Sequence, residues 1–258
     1  MKTMNENELI SYWNMIHNLA SHMLLNEEDA VDATQSIFEQ AISRLDSFRH
    51  ESGIGTWFYR LAYNYLIDEL RKRKRERITF DLFKNDITRF QEYNDELQLS
   101  REEEKIYIKE IKIGCTKALL QCLEPENRFI YIVGTIFSFP GKDAAALCNM
   151  TYDTYRARLS RSKTKIRNFL SENCGLVNPQ AKCKCRKRLL IAMERGRIDP
   201  EASVENNRAI KHFISELNEA DEISRIYQDN PFMELTGEVI SGTIRNLGII
   251  TGDHKSIN

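Results

Sequence analysis

Residues 142–169 read KDAAALCNMTYDTYRARLSRSKTKIRNF, and the two halves of this stretch differ in chemistry. The first, 142–147, is a short apolar helix with three alanines, small enough to let a second helix come close. Cys148, Asn149 and Met150 make a turn, with Asn149 suited to a left-handed backbone. Thr151 can cap a second helix running to about Phe169. On it Tyr155, Leu159, Ser162 and Ile166 recur at spacings of three and four. Arg156, Arg158, Ser160, Arg161, Lys163 and Lys165 occupy the remaining positions. An apolar stripe beside a basic face is what a recognition helix requires, because it must pack on its scaffold while offering donors to phosphates and guanine edges. An ordinary surface helix with solvated charges is the competing reading. The small-residue helix and tight turn in front argue against it.

Outward from this stretch the chain is helical almost throughout. Glycine (11) and proline (5) are scarce among the 258 residues, and apolar residues recur at helical spacing. The expected fold class is all-α, with two small helical domains joined by a linker and a helical C-terminal extension. The expected boundaries are 1–77, 78–99 for the linker, 100–173, and 174–258.

In 1–77, a first helix carries Leu9, Tyr12, Trp13, Ile16 and Leu19 on one face. Asn26 caps a second that buries Ala30, Ala33, Ile37, Ala41 and Leu45. A third begins near Thr56 with Trp57, Leu61, Tyr65 and Leu66 inward. The acidic, weakly periodic 78–99 has room for one helical turn. Ser100 with Glu103 is a capping box opening the next module. Within it one helix runs to about Leu123 and another from about Pro125 to Phe137. Asp199-Pro200 starts an amphipathic helix carrying Ile210, Phe213, Ile214, Leu217 and Tyr227.

The net charge is −1, yet charge is strongly clustered. Basic residues gather at 71–77, 156–167 and 182–188, and acidic ones at 81–104, so the neutral total hides strong local fields. No apolar run approaches the roughly 20 residues of a membrane span, and 1–8 carries no signal-peptide core. A cytoplasmic location, without membrane contact, is expected. Cysteines there are thiols or metal ligands rather than disulfides.

The helix at 56–75 carries a second constellation. Trp57, Phe58, Tyr59, Tyr63 and Tyr65 crowd beside Arg60 and Asn64, and a basic run with Arg71 and Arg73 follows. Aromatic faces stack on unpaired bases while cations hold the backbone, which suits opened DNA better than closed duplex. Trp57 and about half of the tyrosines are also candidates for the core.

Cys174, Cys183 and Cys185 form a third cluster in a Lys/Arg-rich strip. Three thiolates so close could bind zinc, structural or sensory, with His212, His254 or Cys148 as fourth ligand. The competing reading is reduced thiols in a basic linker. Cys115 and Cys122 lie on an apolar helical face as small core residues. No nucleophile–base pair or phosphate loop is present, so no enzymatic activity and no required cofactor are expected. His17, His22 and His50 read as surface or half-buried groups.

Asp32-Ala-Thr-Gln-Ser-Ile-Phe38, Leu45-Asp-Ser-Phe48, Thr56-Trp-Phe-Tyr-Arg-Leu-Ala62 and Asp68-Glu-Leu-Arg71 resemble domain 2 of extracytoplasmic-function (ECF) sigma factors. Cys122-Leu-Glu-Pro-Glu-Asn-Arg128 and Asp153-Thr-Tyr-Arg-Ala-Arg-Leu-Ser-Arg-Ser-Lys163 resemble their domain 4. The resemblance spans about 6–170. It implies that Asp32, Gln35 and Phe38 dock on the β′ clamp helices of RNA polymerase, with the β flap as a further contact. It implies that Trp57, Tyr59, Arg60, Asn64, Arg71 and Arg73 hold and open the −10 element of a promoter. It assigns Arg156, Ala157, Arg158, Ser160 and Arg161 to the −35 element. Asn149, Asp143 and Pro140-Gly141 depart from the family pattern around the turn. The alternative is a helix-turn-helix regulator that leaves the polymerase's own sigma factor in place. The extension could then be a protein-interaction or metal-sensing module, and in either reading it could meet an anti-sigma or other recruiting protein.

Overall fold

The computed structural model describes residues 6–45, 48, 53–73, 78–88 and 99–194. Among them all regular elements are helical, and the β-type pairing is an isolated bridge between Cys174 and Cys183. The chain divides into two compact units. The described parts of the first are 6–45, 48, 53–73 and 140–152, and those of the second are 78–88, 99–139 and 153–194.

The first unit is built on α1 (Glu6–Met23), α2 (Glu27–Ser43) and α3 (Ile54–Lys72), which pack on one another. Leu9, Trp13, Ile16 and Leu19 are buried along α1, as their spacing predicts. Asn26 caps α2, its side chain accepting from the Glu28 amide at 2.8 Å. Ala30, Ala33, Ile37, Phe38 and Ala41 form the inward stripe of α2.

On α3 the inward stripe is Phe58, Tyr59, Ala62, Leu66 and Ile67. The expected stripe began one residue earlier, at Trp57, and that register is corrected here. Phe58 is the hub. It stacks on Tyr12 at 4.8 Å between ring centroids and packs against Phe38 and Trp57, both at 5.4 Å. Two neighbouring aromatics serve equally well as the start of a helical stripe, and packing against α1 and α2 chooses Phe58.

Also in this unit, α7 (Gly141–Leu147) lies against α3 and buries Ala144, Ala145 and Leu147. Its end is a Schellman turn. The Met150 amide donates to the Ala145 carbonyl at 3.1 Å and the Asn149 amide to the Ala146 carbonyl at 3.3 Å. Asn149 takes φ 51°, the left-handed position the motif needs.

The second unit contains α4 (Phe80–Thr88), α5 (Arg101–Gln121), α6 (Pro125–Tyr131), α8 (Tyr152–Asn173, from Asp153 onward) and α9 (Cys185–Glu194). Ser100 and Glu103 form the expected capping box at the start of α5. After α6 the chain widens into a π-helical turn, Ile132–Ile136. One turn expected for residues 78–99 is instead a nine-residue helix, α4. It is held because Phe83 stacks on Phe169 of α8 at 5.4 Å, with Phe80 at the same distance. On α9, Leu189 and Ala192 share a core with Tyr107 and Ile111 of α5. Arg188 fastens α9 to α4, donating to the Asp86 carboxylate at 2.8 Å and the Asp86 carbonyl at 3.0 Å. Residues just after 173 thus complete the packing of α5. The amphipathic helix expected after Asp199-Pro200 lies outside the described residues, as do His50, His212 and His254.

Candidate nucleic-acid interface

In the second unit, α8 buries Tyr155, Ser162, Ile166 and Phe169. Leu159 is half-buried, completing the stripe expected at three- and four-residue spacing. Seating is close at its first turn. A Cβ on Gly134, in the π-helical turn, would lie 2.1 Å from Tyr155 Oη and 3.0 Å from Leu159 Cδ2. The absent side chain lets α8 approach the backbone. Opposite this seat, Arg156, Ala157, Ser160 and Arg161 are exposed, with Lys163, Lys165 and Arg167 beyond them. Arg158 is half-buried, and its carbonyl accepts from Ser162 Oγ at 2.9 Å. Five cations and two small residues therefore form a solvent-facing surface on one rigid helix.

In the first unit, Trp57, Arg60, Asn64 and Arg71 recur along α3 at spacings of three, four and seven, which puts them on one flank. Asn64 and Arg71 are exposed, while Trp57 and Arg60 are half-buried. The Trp57 ring meets Phe58 edge-on, at 76°. One side of the indole is thereby fixed by the core. Tyr63 and Tyr65 are also half-buried.

Of these two helices, α3 belongs to a recognisable stretch of chain. Residues 10–76 match the family Sigma-70 region 2. The ECF RNA polymerase sigma factor SigW of Bacillus subtilis (strain 168) is 40% identical over 63 residues, which is 24% of this chain and 34% of SigW. SigV of the same organism is 34% identical over 65 residues, covering 25% of this chain and 39% of SigV. The chain thus spans between a third and two fifths of the length of these relatives. A solved structure of the sigma factor RpoE in complex with the anti-sigma factor NepR from Bartonella quintana covers 64% of this chain and 95% of that one, at 21% identity and a TM-score of 0.44.

Two residues expected at contact surfaces, Phe38 and Tyr59, are buried, and a third, Arg73, is half-buried in an ion pair. Phe38 is fully buried between Trp13 and Phe58, so it holds α2 in place and offers no face to a partner. Its neighbours Asp32, exposed, and Gln35, half-buried, remain at the surface of α2. Tyr59 is buried too, and burial pushes its phenol well up from the ordinary value. Arg73 is tied into the first unit. Its guanidinium pairs with Asp29, in the first turn of α2, and Nε donates to Glu69 at 3.0 Å. The Asp29 hydrogen bond favours the charged guanidinium and pushes Arg73 up further. Arg71 differs, being mostly exposed and 3.5 Å from Asp68.

The structure also locates groups with little or no signal in the sequence. Arg128 is buried, donating from Nε to the Leu120 carbonyl at 3.0 Å and from Nη2 to those of Gln121 (3.0 Å) and Leu123 (3.2 Å). It closes the C-terminal end of α5 with a positive charge, where the helix dipole favours one. His17 and His22 are buried in α1, contrary to the surface or half-buried positions expected. His22 Nδ1 lies 2.7 Å from the Asn18 carbonyl, and His17 Nε2 lies 3.2 Å from Glu27 Oε1. Burial of α1 on both sides of its Trp13 stripe encloses them.

Cys174, Cys183 and Cys185 are brought together, and Cys115 of α5 joins them around one cavity of about 110 Å³. Among the described residues, however, no three or more His, Cys, Asp or Glu side chains are arranged to hold a metal ion. His212 and His254, two of the expected fourth ligands, lie outside the described residues. The thiols line an apolar chamber with Phe83, Ile111 and Phe169. Cys148, named as a possible fourth ligand, is buried at the end of α7. Burial pushes Cys115 and Cys122 up to about 12, in keeping with small core residues. Among the described residues no helix is long and apolar enough to cross a membrane.

Proposed function

We propose that this chain is a sigma factor that joins core RNA polymerase and directs initiation at promoters it recognises through −10 and −35 DNA. The observation that carries the reading is the flank of α3 within the region 2 match. Trp57, Arg60, Asn64 and Arg71 there combine an aromatic edge with hydrogen-bond donors and cations. That set suits flipped bases and their backbone, and capturing such bases offsets a stacking loss of a few kcal/mol each.

Arg156, Ala157, Ser160 and Arg161 supply the duplex-reading half. Two arginines with two small residues between them fit a major groove, where the cations reach guanine edges and phosphates. Arg158 joins them from the half-buried flank. Asp32 and Gln35 on α2 are the docking residues for the polymerase, on the β′ clamp helices, with the β flap as a second contact. The chain performs no chemistry of its own, since bond formation belongs to the polymerase. A recruiting or anti-sigma protein would act through the C-terminal extension. Soluble action beside the nucleoid, in the bacterial cytoplasm, follows from this role.

A plain helix-turn-helix regulator would use α8 but has no use for the α3 flank. Run-off transcription separates the two. With core polymerase and a genomic promoter library, this protein should yield discrete transcripts that core alone does not. Duplex binding without core association or transcripts would favour the regulator.

A further inference from the structure

The cysteine chamber of the second unit has a chemistry that promoter recognition does not use. Cys174 directly follows α8, and Cys183 precedes α9 by two residues. They face each other as partners of a parallel β-bridge. The Gly175 amide donates to the Cys183 carbonyl at 2.9 Å. Bridge partners sit about 4.8 Å apart between strands and project to the same face, and disulfides form across Cα separations of about 4.4–6.8 Å. Both residues line the same cavity, so the two side chains share a face.

A second observation shows how tightly the segments are drawn together. A Cβ at Gly175 would lie 2.6 Å from the Cys183 carbonyl oxygen and 2.8 Å from Lys184 Cδ. Only glycine permits that approach. The tie is reinforced by bonds between residues 171 and 184. The Asn178 amide donates to the Cys174 carbonyl at 2.9 Å, and Asn178 Nδ2 to the Ser171 carbonyl at 2.8 Å. Lys184 Nζ reaches the Pro179 carbonyl at 2.7 Å. The bridge therefore holds the two cysteines at disulfide range before any bond exists.

We propose that Cys174 and Cys183 are a redox modification site, a dithiol that closes reversibly to a disulfide across this bridge. The oxidant class is a low-molecular-weight disulfide. The Cys174 thiol loses its proton to solvent, and the thiolate attacks one sulfur of the reagent. A mixed disulfide forms and one reagent thiolate leaves. The Cys183 thiol then loses its proton and attacks Cys174 Sγ, expelling the second reagent thiolate. Two protons are released, and two electrons pass to the reagent, which is reduced to two thiols.

Burial pushes Cys183 up, with Arg188 and Lys184 opposing the shift. That makes it slow toward reagents in solution, yet its bridge partner is held beside it. Cys115, pushed up to about 12 by burial, stays out of the exchange. Cys185 lines the same chamber but belongs to the first turn of α9, two residues beyond the bridge.

The test uses the full chain treated with glutathione disulfide, then N-ethylmaleimide, then digestion and mass analysis. The expected product is one peptide pair joined through Cys174 and Cys183, lighter by two hydrogens and split by dithiothreitol. Cys185→Ser should leave this product intact. Cys183→Ser should instead trap Cys174 as its glutathione adduct. Three results would overturn the proposal. One is both thiols alkylated after oxidation as completely as before. Another is a Cys183–Cys185 or Cys115-containing disulfide as the main product. The third is one equivalent of tightly bound zinc that protects these thiols until it is chelated.

Discussion

The Tyr155 hydroxyl occupies the space a side chain at Gly134 would need. Because a Cβ at Gly134 would come within 2.1 Å of Oη, α8 is seated against bare backbone. This fixes the helix that carries Arg156 and Arg161. Gly134→Ala should destabilise the second unit by about 1–3 kcal/mol, the usual penalty of overpacking. In a Tyr155→Phe background, the penalty should be smaller. Urea titrations of the four proteins measure the coupling. Equal costs in both backgrounds would mean that Oη is not the group that clashes.

Arg73 links the end of α3 to the start of α2 through Asp29. Both side chains are about a third exposed, 38% and 33%, so solvent screens the pair. Arg73→Ala should cost about 0.5–1 kcal/mol of stability and less in high salt. A double-mutant cycle with Asp29→Ala should recover most of it as coupling. Arg71→Ala, at a mostly exposed site, should leave stability nearly unchanged. A larger stability loss at Arg71 than at Arg73 would reverse the roles assigned here.

Arg128 satisfies three carbonyls at the end of α5 while buried. Arg128→Ala should cost about 2–4 kcal/mol, because it strands those acceptors and leaves a void. Lysine has one compact donor group in place of a planar fork, so Arg128→Lys should restore only part of the loss. Thermal melts of the three proteins give the ranking. A fully restored Tm in the lysine variant would show that charge alone suffices.

Arg161→Ala should weaken binding to a −35 duplex by about 1–3 kcal/mol if the guanidinium makes a bidentate base contact, and should relax preference at one position. Lys165→Ala, further along the helix, should weaken all sequences alike and lower the salt dependence by about one counterion. Fluorescence anisotropy on matched and mismatched duplexes measures both. Uniform loss across sequences for Arg161 would make it a phosphate contact.

Much of this was legible in the residues. The Ser100–Glu103 box, the left-handed Asn149 and the Tyr155–Leu159–Ser162–Ile166 stripe follow from local chemistry that acts within a few residues. What escaped depends on distant partners. Trp57 and Phe58 are interchangeable as helical positions until Tyr12 and Phe38 select Phe58. An acidic stretch such as 81–88 reads as linker because its helix is stabilised by Phe169 of α8, far along the chain. Arg73 reads as part of a basic run, and only the return of α2 makes it a structural cation. Cys115 joins the other thiols through the packing of α5 and α9, which no spacing rule contains.

The central claim is that two helices divide the work, α8 reading duplex and α3 holding opened strand. Permanganate reactivity of −10 thymines in the complex with core polymerase tests it most directly. The wild-type protein should expose those thymines. Arg60→Ala with Asn64→Ala should abolish the reactivity while leaving the −35 footprint in place. Arg156→Ala with Arg161→Ala should lose the footprint, with opening recovered on templates that carry a pre-formed bubble. Undiminished thymine reactivity in the α3 variant, or its absence in the wild-type complex, would contradict the account.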